Sequence, residues 1–185
     1  LSAVFDITFR SMTSDDFELL HRWLQNPHVK AWFREDDSLE EVIQHYSPSI
    51  RGDDPTQLFI VQRDGQDVGF MEMYKLLDYE EWSKANVHVV PDQEGIVGID
   101  YLIGEETLIG NGLGSRVIGE FCRQIFTDPS VRGIISDPQT ENVASCRVLE
   151  KNRFVPLWRG KLASNHPSDS GESTVYFLDR KAFVS

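Results

Sequence analysis

Four carboxylates and one glycine cluster carry the chemistry that this sequence offers. Asp100 closes the tripeptide Gly98-Ile99-Asp100, Asp137 opens an Asp-Pro pair, Glu72 alternates with Tyr74, and Asp78 begins an acidic run. A carboxylate beside a substrate amine orients the ammonium and can take its proton. A base so placed is worth roughly 10²–10⁴ in rate. Trp32 and Trp82 offer flat aromatic faces against which a ligand could stack. Each residue also has a plainer role. An Asp-Pro pair starts turns, a half-buried strand alternates as Glu72-Met73-Tyr74 does, and tryptophans fill cores. The glycine cluster reads Ile109-Gly110-Asn111-Gly112-Leu113-Gly114-Ser115-Arg116. Glycines let a backbone turn sharply and approach a ligand without a Cβ clash. If a helix follows, its first N–H groups are unpaired and carry the positive end of its dipole. Together they suit a pyrophosphate, to which Ser115 adds a hydroxyl and Arg116 a cation.

Two common phosphate loops are excluded by spacing. A dinucleotide fingerprint needs G-x-G-x-x-G, and here the third glycine falls one residue early. A P-loop needs Gly-Lys-Ser/Thr, which is absent. The five histidines show neither HxH nor HExxH spacing, so no metal site is expected. Cys122 and Cys146 both fall in helical patterns, which argues against a disulfide framework. Cys146 sits on an apolar face without a neighbouring histidine, so it is not expected to be a nucleophile.

Composition narrows the partners. The chain has 185 residues, with 18 Lys and Arg against 30 Asp and Glu, for a formal charge of −12. Such a chain has no footprint for a nucleic-acid backbone or an anionic membrane, and it attracts cations. With 40% apolar and 26% charged residues it reads as globular, in one domain spanning 1–185. No apolar run approaches the roughly 20 residues of a membrane span. The opening stretch lacks the basic and apolar regions of a signal peptide, so a cytoplasmic protein is expected.

The elements that must position these residues alternate between strand and helix. A strand is expected near 7–10. A helix capped by Ser14 runs from Asp15 to Asn26-Pro27, and a second starts at the Ser38–Glu41 capping box and ends near Tyr46. Strands at 58–62 and 68–74 flank an Asp64-Gly65 hairpin turn. Residues 78–95 read as a long polar loop. A strand at 96–103 carries Asp100 into the glycine cluster, which opens a helix over 113–126. A short strand at 133–136, a helix at 142–152 and strands at 154–162 and 174–178 complete the chain. Apolar residues on the last strands leave a monomer or a homodimer open.

The second half of this pattern resembles the GNAT acetyltransferases. Their pyrophosphate loop reads Gln/Arg-x-x-Gly-x-Gly/Ala, with Ile109 here at the Gln/Arg position. A helix follows that begins Asn-x-x-Ala/Ser, as at Asn142 to Ser145, and ends near Lys-x-Gly-Phe, here Lys151-Asn152-Arg153-Phe154. Arg153 replaces the usual glycine, and Asn152 is expected to take the left-handed conformation. The resemblance is strongest to the aminoglycoside 6′-N-acetyltransferases. It rests on His21-Arg22-Trp23-Leu24, on residues 28–33, on residues 68–74, on Gly98-Ile99-Asp100-Tyr101-Leu102-Ile103-Gly104 and on Ser136-Asp137-Pro138.

This resemblance implies an α/β (α+β) fold, a mixed, mostly antiparallel twisted sheet flanked by helices. It implies acetyl-CoA as cofactor and a cationic amine as acceptor, with direct transfer in a ternary complex. The implied cofactor contacts are residues 109–116, the backbone of Tyr101 and Leu102, and Asn142 with Ser145. Asp100 becomes the base, and Trp32, Glu72, Tyr74, Asp78, Trp82 and Asp137 join it around the acceptor. The family's usual tyrosine acid aligns with Leu149, so that phenol is absent. A sister branch, the acyltransferases of siderophore assembly, shares Leu at that position and Glu-x-Tyr like Glu72-Met73-Tyr74, but tends to carry His at position 100. A non-catalytic acetyl-CoA sensor is the third reading.

Overall fold

A computed structural model describes residues 5–34, 36–163 and 167–184. Residues 1–4 and His166, read above for leader and metal signals, lie outside the described residues. Period-two alternation builds seven strands: β1 (Ile7–Ser11), β2 (Gln57–Arg63), β3 (Gln66–Lys75), β4 (Ile96–Ile103), β5 (Gly133–Ser136), β6 (Val155–Gly160) and β7 (Ser173–Asp179). They form one sheet in the order β1-β2-β3-β4-β5-β7-β6. Every pairing is antiparallel except β4 with β5. The helices are α1 (Phe17–Leu24), α2 (Pro27–Lys30), α3 (Leu39–Arg51), α4 (Glu80–Asn86), α5 (Leu113–Ile125), α6 (Val143–Lys151) and α7 (Arg180–Val184). None is long and apolar enough to cross a membrane.

The alternation sorts side chains onto two faces. On one face Met71, Val97 and Ile99 pack against the α5 stripe of Leu113, Val117, Ile118, Phe121 and Ile125. Phe121 is fully buried and meets Phe59 edge-on, with ring centroids 5.3 Å apart. Truncating such a ring costs about 3–5 kcal/mol. The opposite face carries two smaller cores. Phe70 and Leu102 join α1 and α3 around Trp23 and Tyr46, while Leu76, Ile96 and Ile135 join Val175 and Leu162. Between those cores the same strand positions are polar. Glu72 and Tyr74 on β3 stand opposite Asp100 and Gly98 on β4.

Two local features shape this gap. β4 pairs with β5 only from Ile96 to Gly98, and beyond that the two strands part. The end of β4 is pinned from the other side. Trp23 packs over Gly104 and donates to Glu105 at 3.0 Å, while Asn26 donates to the Gly104 carbonyl and His28 to that of Ile103, each at 2.9 Å.

Several local expectations are corrected. Residues 80–86 form α4 inside the stretch read as loop, because Trp82 and Ala85 recur at helical spacing and bury against the neighbouring core. α3 passes Tyr46 and Pro48 to Arg51, and ends where Gly52 takes φ +80°. The first cap is Thr13 rather than Ser14, with Asp16 completing its box and a 3-10 turn leading into α1. The first helix, α1, stops at Leu24, and Pro27 opens the short α2. Asn152 keeps a φ of −97°, and Arg153 takes the left-handed turn at 67°. The cause is visible in the contacts: the Asn152 amide donates to the carbonyls of Val148, at 2.8 Å, and Ser115, at 2.9 Å.

Candidate active site

The polar gap opens into a cavity of about 350 Å³. Among the described residues five carboxylates line it, Asp54, Glu72, Asp100, Asp137 and Asp169, and no Lys or Arg does so. Its remaining walls are largely aromatic and include Trp32, Phe33, Tyr46, Tyr74, Tyr79 and Trp82. β3 and β4 supply Glu72 and Asp100 as directly paired residues, so two like charges face each other across the sheet. Such a pair opposes folding. β5 ends at Ser136 and delivers Asp137, and the 3-10 turn Pro167–Asp169 delivers Asp169.

The electrostatics follow from crowding. Burial, then the charges of Asp100 and Asp169, push the Asp137 carboxyl up to about 8. Burial and the carboxylates of Asp100, Asp137, Glu72 and Asp169 together hold the Tyr74 phenol well above its ordinary value. Tyr74 lies over Gly98, where a Cβ would run into its ring, and stands edge-on to Tyr79. Burial also acts on Asp54, but hydrogen bonds from Tyr79, Thr56 and Ser49 outweigh it and keep that carboxyl below the usual range. The Asp169 Oδ2 is buried without a hydrogen-bond partner among the described residues. Its turn is held across the cavity mouth by the Arg34 N–H and side chain, which reach the Ser168 and Ser170 hydroxyls at 3.1 and 2.6 Å.

The glycine cluster forms a different kind of site at the far end of β4. Gly110 and Gly112 take φ +81° and +79°, and a Cβ at either would meet nothing within 4 Å. Gly112 caps α5, whose first-turn amides open into this space. Ile109 is 43% exposed and Asn111 is also exposed, so both side chains lie at the surface beside the open glycine backbone. Arg116 stacks on Phe5 at 4.2 Å from the ring centroid, and Arg63 does so at 4.3 Å. The open left-handed backbone, the helix start and this pair of cations fit a diphosphate-bearing cofactor. Between loop and cavity, Asn142 caps α6 by accepting from the Ser145 N–H at 3.2 Å, and the Ser145 hydroxyl meets that of Tyr101 at 2.7 Å.

Most of the residues expected from sequence converge. Trp32, Glu72, Tyr74, Trp82, Asp100, Tyr101, Asp137, Asn142 and Ser145 share the cavity. Asp78 does not line it: it is exposed in the 3-10 turn before α4. The Leu102 side chain is 5% exposed and packs into the α1–α3 core, which leaves only its backbone for a ligand. The Ser115 hydroxyl already accepts from Asn152 at 3.3 Å. Sequence reasoning missed Asp54, Tyr79, Asp169 and Arg63. Tyr79 and Asp169 lie in segments read as irregular, with no period to assign them a face.

A family profile for the acetyltransferase (GNAT) domain matches residues 12–161. The chain is 28% identical over 153 residues to the aminoglycoside N(6′)-acetyltransferase type 1 of Klebsiella pneumoniae, covering 80% of this chain and 73% of that protein. It is 24% identical over 168 residues to the lysine N-acyltransferase MbtK of Mycobacterium tuberculosis, covering 89% and 73%. It superposes on the aminoglycoside acetyltransferase AAC(6′)-Ib, crystallised with coenzyme A and kanamycin, with a TM-score of 0.83 at 25% identity, covering 97% of this chain and 98% of that one. With its mixed seven-stranded sheet and a profile match over most of its length, this chain belongs to the GNAT acetyltransferase domain family and is an acyltransferase that uses acetyl-CoA.

Proposed function

We propose that this enzyme acetylates the 6′-amino group of aminoglycosides by direct attack in a ternary complex. The observation that carries this reading is the acid-lined, aromatic-walled cavity at the splay of β4 from β5. A polycation there meets several carboxylates at once. A carboxylate–ammonium pair at about 4 Å is worth roughly 4 kcal/mol before desolvation at an effective dielectric near 20. The similarity to aminoglycoside acetyltransferases points the same way.

Acetyl-CoA, when bound, supplies an activated acetyl carbon on a thiolate leaving group. Residues 110–116 would hold its diphosphate, with the parted edge of β4 at Tyr101 and Leu102 and the α6 cap at Asn142 beside the rest. Asp100 orients the acceptor amine and takes its proton. Glu72 and Asp169 engage the remaining ammonium groups, Asp137 joins them as their positive charge draws off its proton, and Trp32 and Trp82 flank the sugar rings. Acetylation turns one ammonium into a neutral amide, the change expected of an antibiotic-resistance activity in the cytoplasm. Both cysteines are free and buried, as suits a reducing compartment.

The test is a screen of acceptors with acetyl-CoA and thiol detection. Thiol release with kanamycin or tobramycin is the expected result. Release only with an N-hydroxylysine acceptor and a long acyl-CoA would move the enzyme to siderophore assembly. Cofactor binding without turnover on any amine would make it a sensor.

A further inference from the structure

Leu149 is fully buried in the α5–α6 core, so position 149 gives the departing thiolate no phenol. The structure nonetheless brings a phenol to the same helix face. Ser145 lies four residues before Leu149, one turn earlier on that face. Its hydroxyl stands 2.7 Å from that of Tyr101, which reaches over from β4. Both residues line the cavity, at the point where β4 has lost its β5 partner and its edge lies open. Tyr101 and Asp100 are adjacent on a strand and so leave its opposite faces. The carboxylate faces the acceptor side, and the phenol spans the splay toward α6.

We propose that the Tyr101 hydroxyl, positioned by Ser145, donates a hydrogen bond to the sulfur of the acyl donor as the carbon–sulfur bond breaks. The idea rests on the acetyltransferase reading of this site. The amine nitrogen bonds to the acyl carbon, the carbon–sulfur bond breaks with its electron pair kept on sulfur, and the nitrogen's proton passes to Asp100. Tyr101 keeps its own proton. Either hydroxyl of the pair can be the donor. When Ser145 donates to the phenol oxygen, the phenol proton is left for the sulfur. Burial pushes the phenol well above its ordinary value, which keeps it protonated at neutral pH and so a donor rather than a proton-transfer acid. The pair thus substitutes hydrogen bonding for the proton transfer that a tyrosine at position 149 would perform.

The experiment compares wild type, Tyr101→Phe and Ser145→Ala. Turnover of kanamycin should fall about 10- to 100-fold in Tyr101→Phe and several-fold in Ser145→Ala, with KM for acetyl-CoA within about 3-fold of wild type. A second readout needs no turnover. Calorimetry above the ordinary thiol pKa of about 8.5 should show coenzyme A binding several-fold tighter than desulfo-coenzyme A, which lacks the sulfur. That preference should vanish in Tyr101→Phe. Unchanged turnover or an unchanged preference in Tyr101→Phe would overturn the proposal. If that variant does not fold, Ser145→Ala with an undiminished preference would overturn it as well. Absence of turnover with every aminoglycoside would remove the acceptor reading instead, and the binding comparison would still decide the role of Tyr101.

Discussion

The acceptor cavity and the glycine loop sit at opposite ends of the open β4 edge and solve opposite electrostatic problems. The cavity gathers five carboxylates behind aromatic walls, with two of them paired directly across the sheet. The loop relies on backbone and on cations. It offers left-handed backbone, a helix start and the two arginines on Phe5. Enclosed like charges cost stability and favour a cationic ligand, whereas exposed amides cost little and favour an anion. A chain of charge −12 can therefore use an anionic cofactor. Five of the 30 acids line the cavity where the acceptor enters, and cations and amides gather locally where the cofactor lies.

The largest effect expected from breaking this contrast is at Asp100. Asp100→Asn should lower kcat roughly 10²–10⁴-fold, with KM for acetyl-CoA nearly unchanged. Steady-state kinetics with both substrates varied will show whether the loss stays on the acceptor side. The reciprocal change is Gly112→Val. A β-branched residue at φ +79° is strained by about 1–3 kcal/mol. KM for acetyl-CoA should rise about tenfold while acceptor affinity holds.

A smaller and pH-dependent effect belongs to Asp137. Its carboxyl titrates at about 8 in the fold against an ordinary value of 3.8. Between those values the folded state holds a proton that the unfolded chain has released. Its contribution therefore makes stability fall as pH rises through that window. Asp137→Asn should flatten this part of the pH profile and be the more stable protein near pH 8, by about 1 kcal/mol or more, in denaturant titrations across pH. An unaltered slope would separate Asp137 from the enclosed cluster.

Much of this division was legible in the sequence, and for identifiable reasons. The Gly98-Ile99-Asp100 strand and the Asp64-Gly65 turn follow short-range rules, and both appear as read. The Glu72–Tyr74 alternation placed both side chains on one face because a strand allows nothing else. Residues whose position depends on partners distant in sequence were harder. Asp169 reaches the cavity on a turn held by residues distant in sequence, Arg34, 134 residues from Ser168, and Gln139. Asn152 read as the left-handed residue from its type alone, but its amide was already committed to Ser115 and Val148. The α4 helix was hidden by its polarity. Only Trp82 and its buried neighbours reveal which face turns inward.

In the proposed reaction the acidic cavity presents a 6′-amine to the acyl donor. The most direct measurement is thiol release from acetyl-CoA with two aminoglycosides, one with an amino group at the 6′ position and one with a hydroxyl there. Sustained release and a product heavier by one acetyl group are expected with the first, and no release above background with the second. Equal rates with both, or none with either, would contradict the proposed reaction.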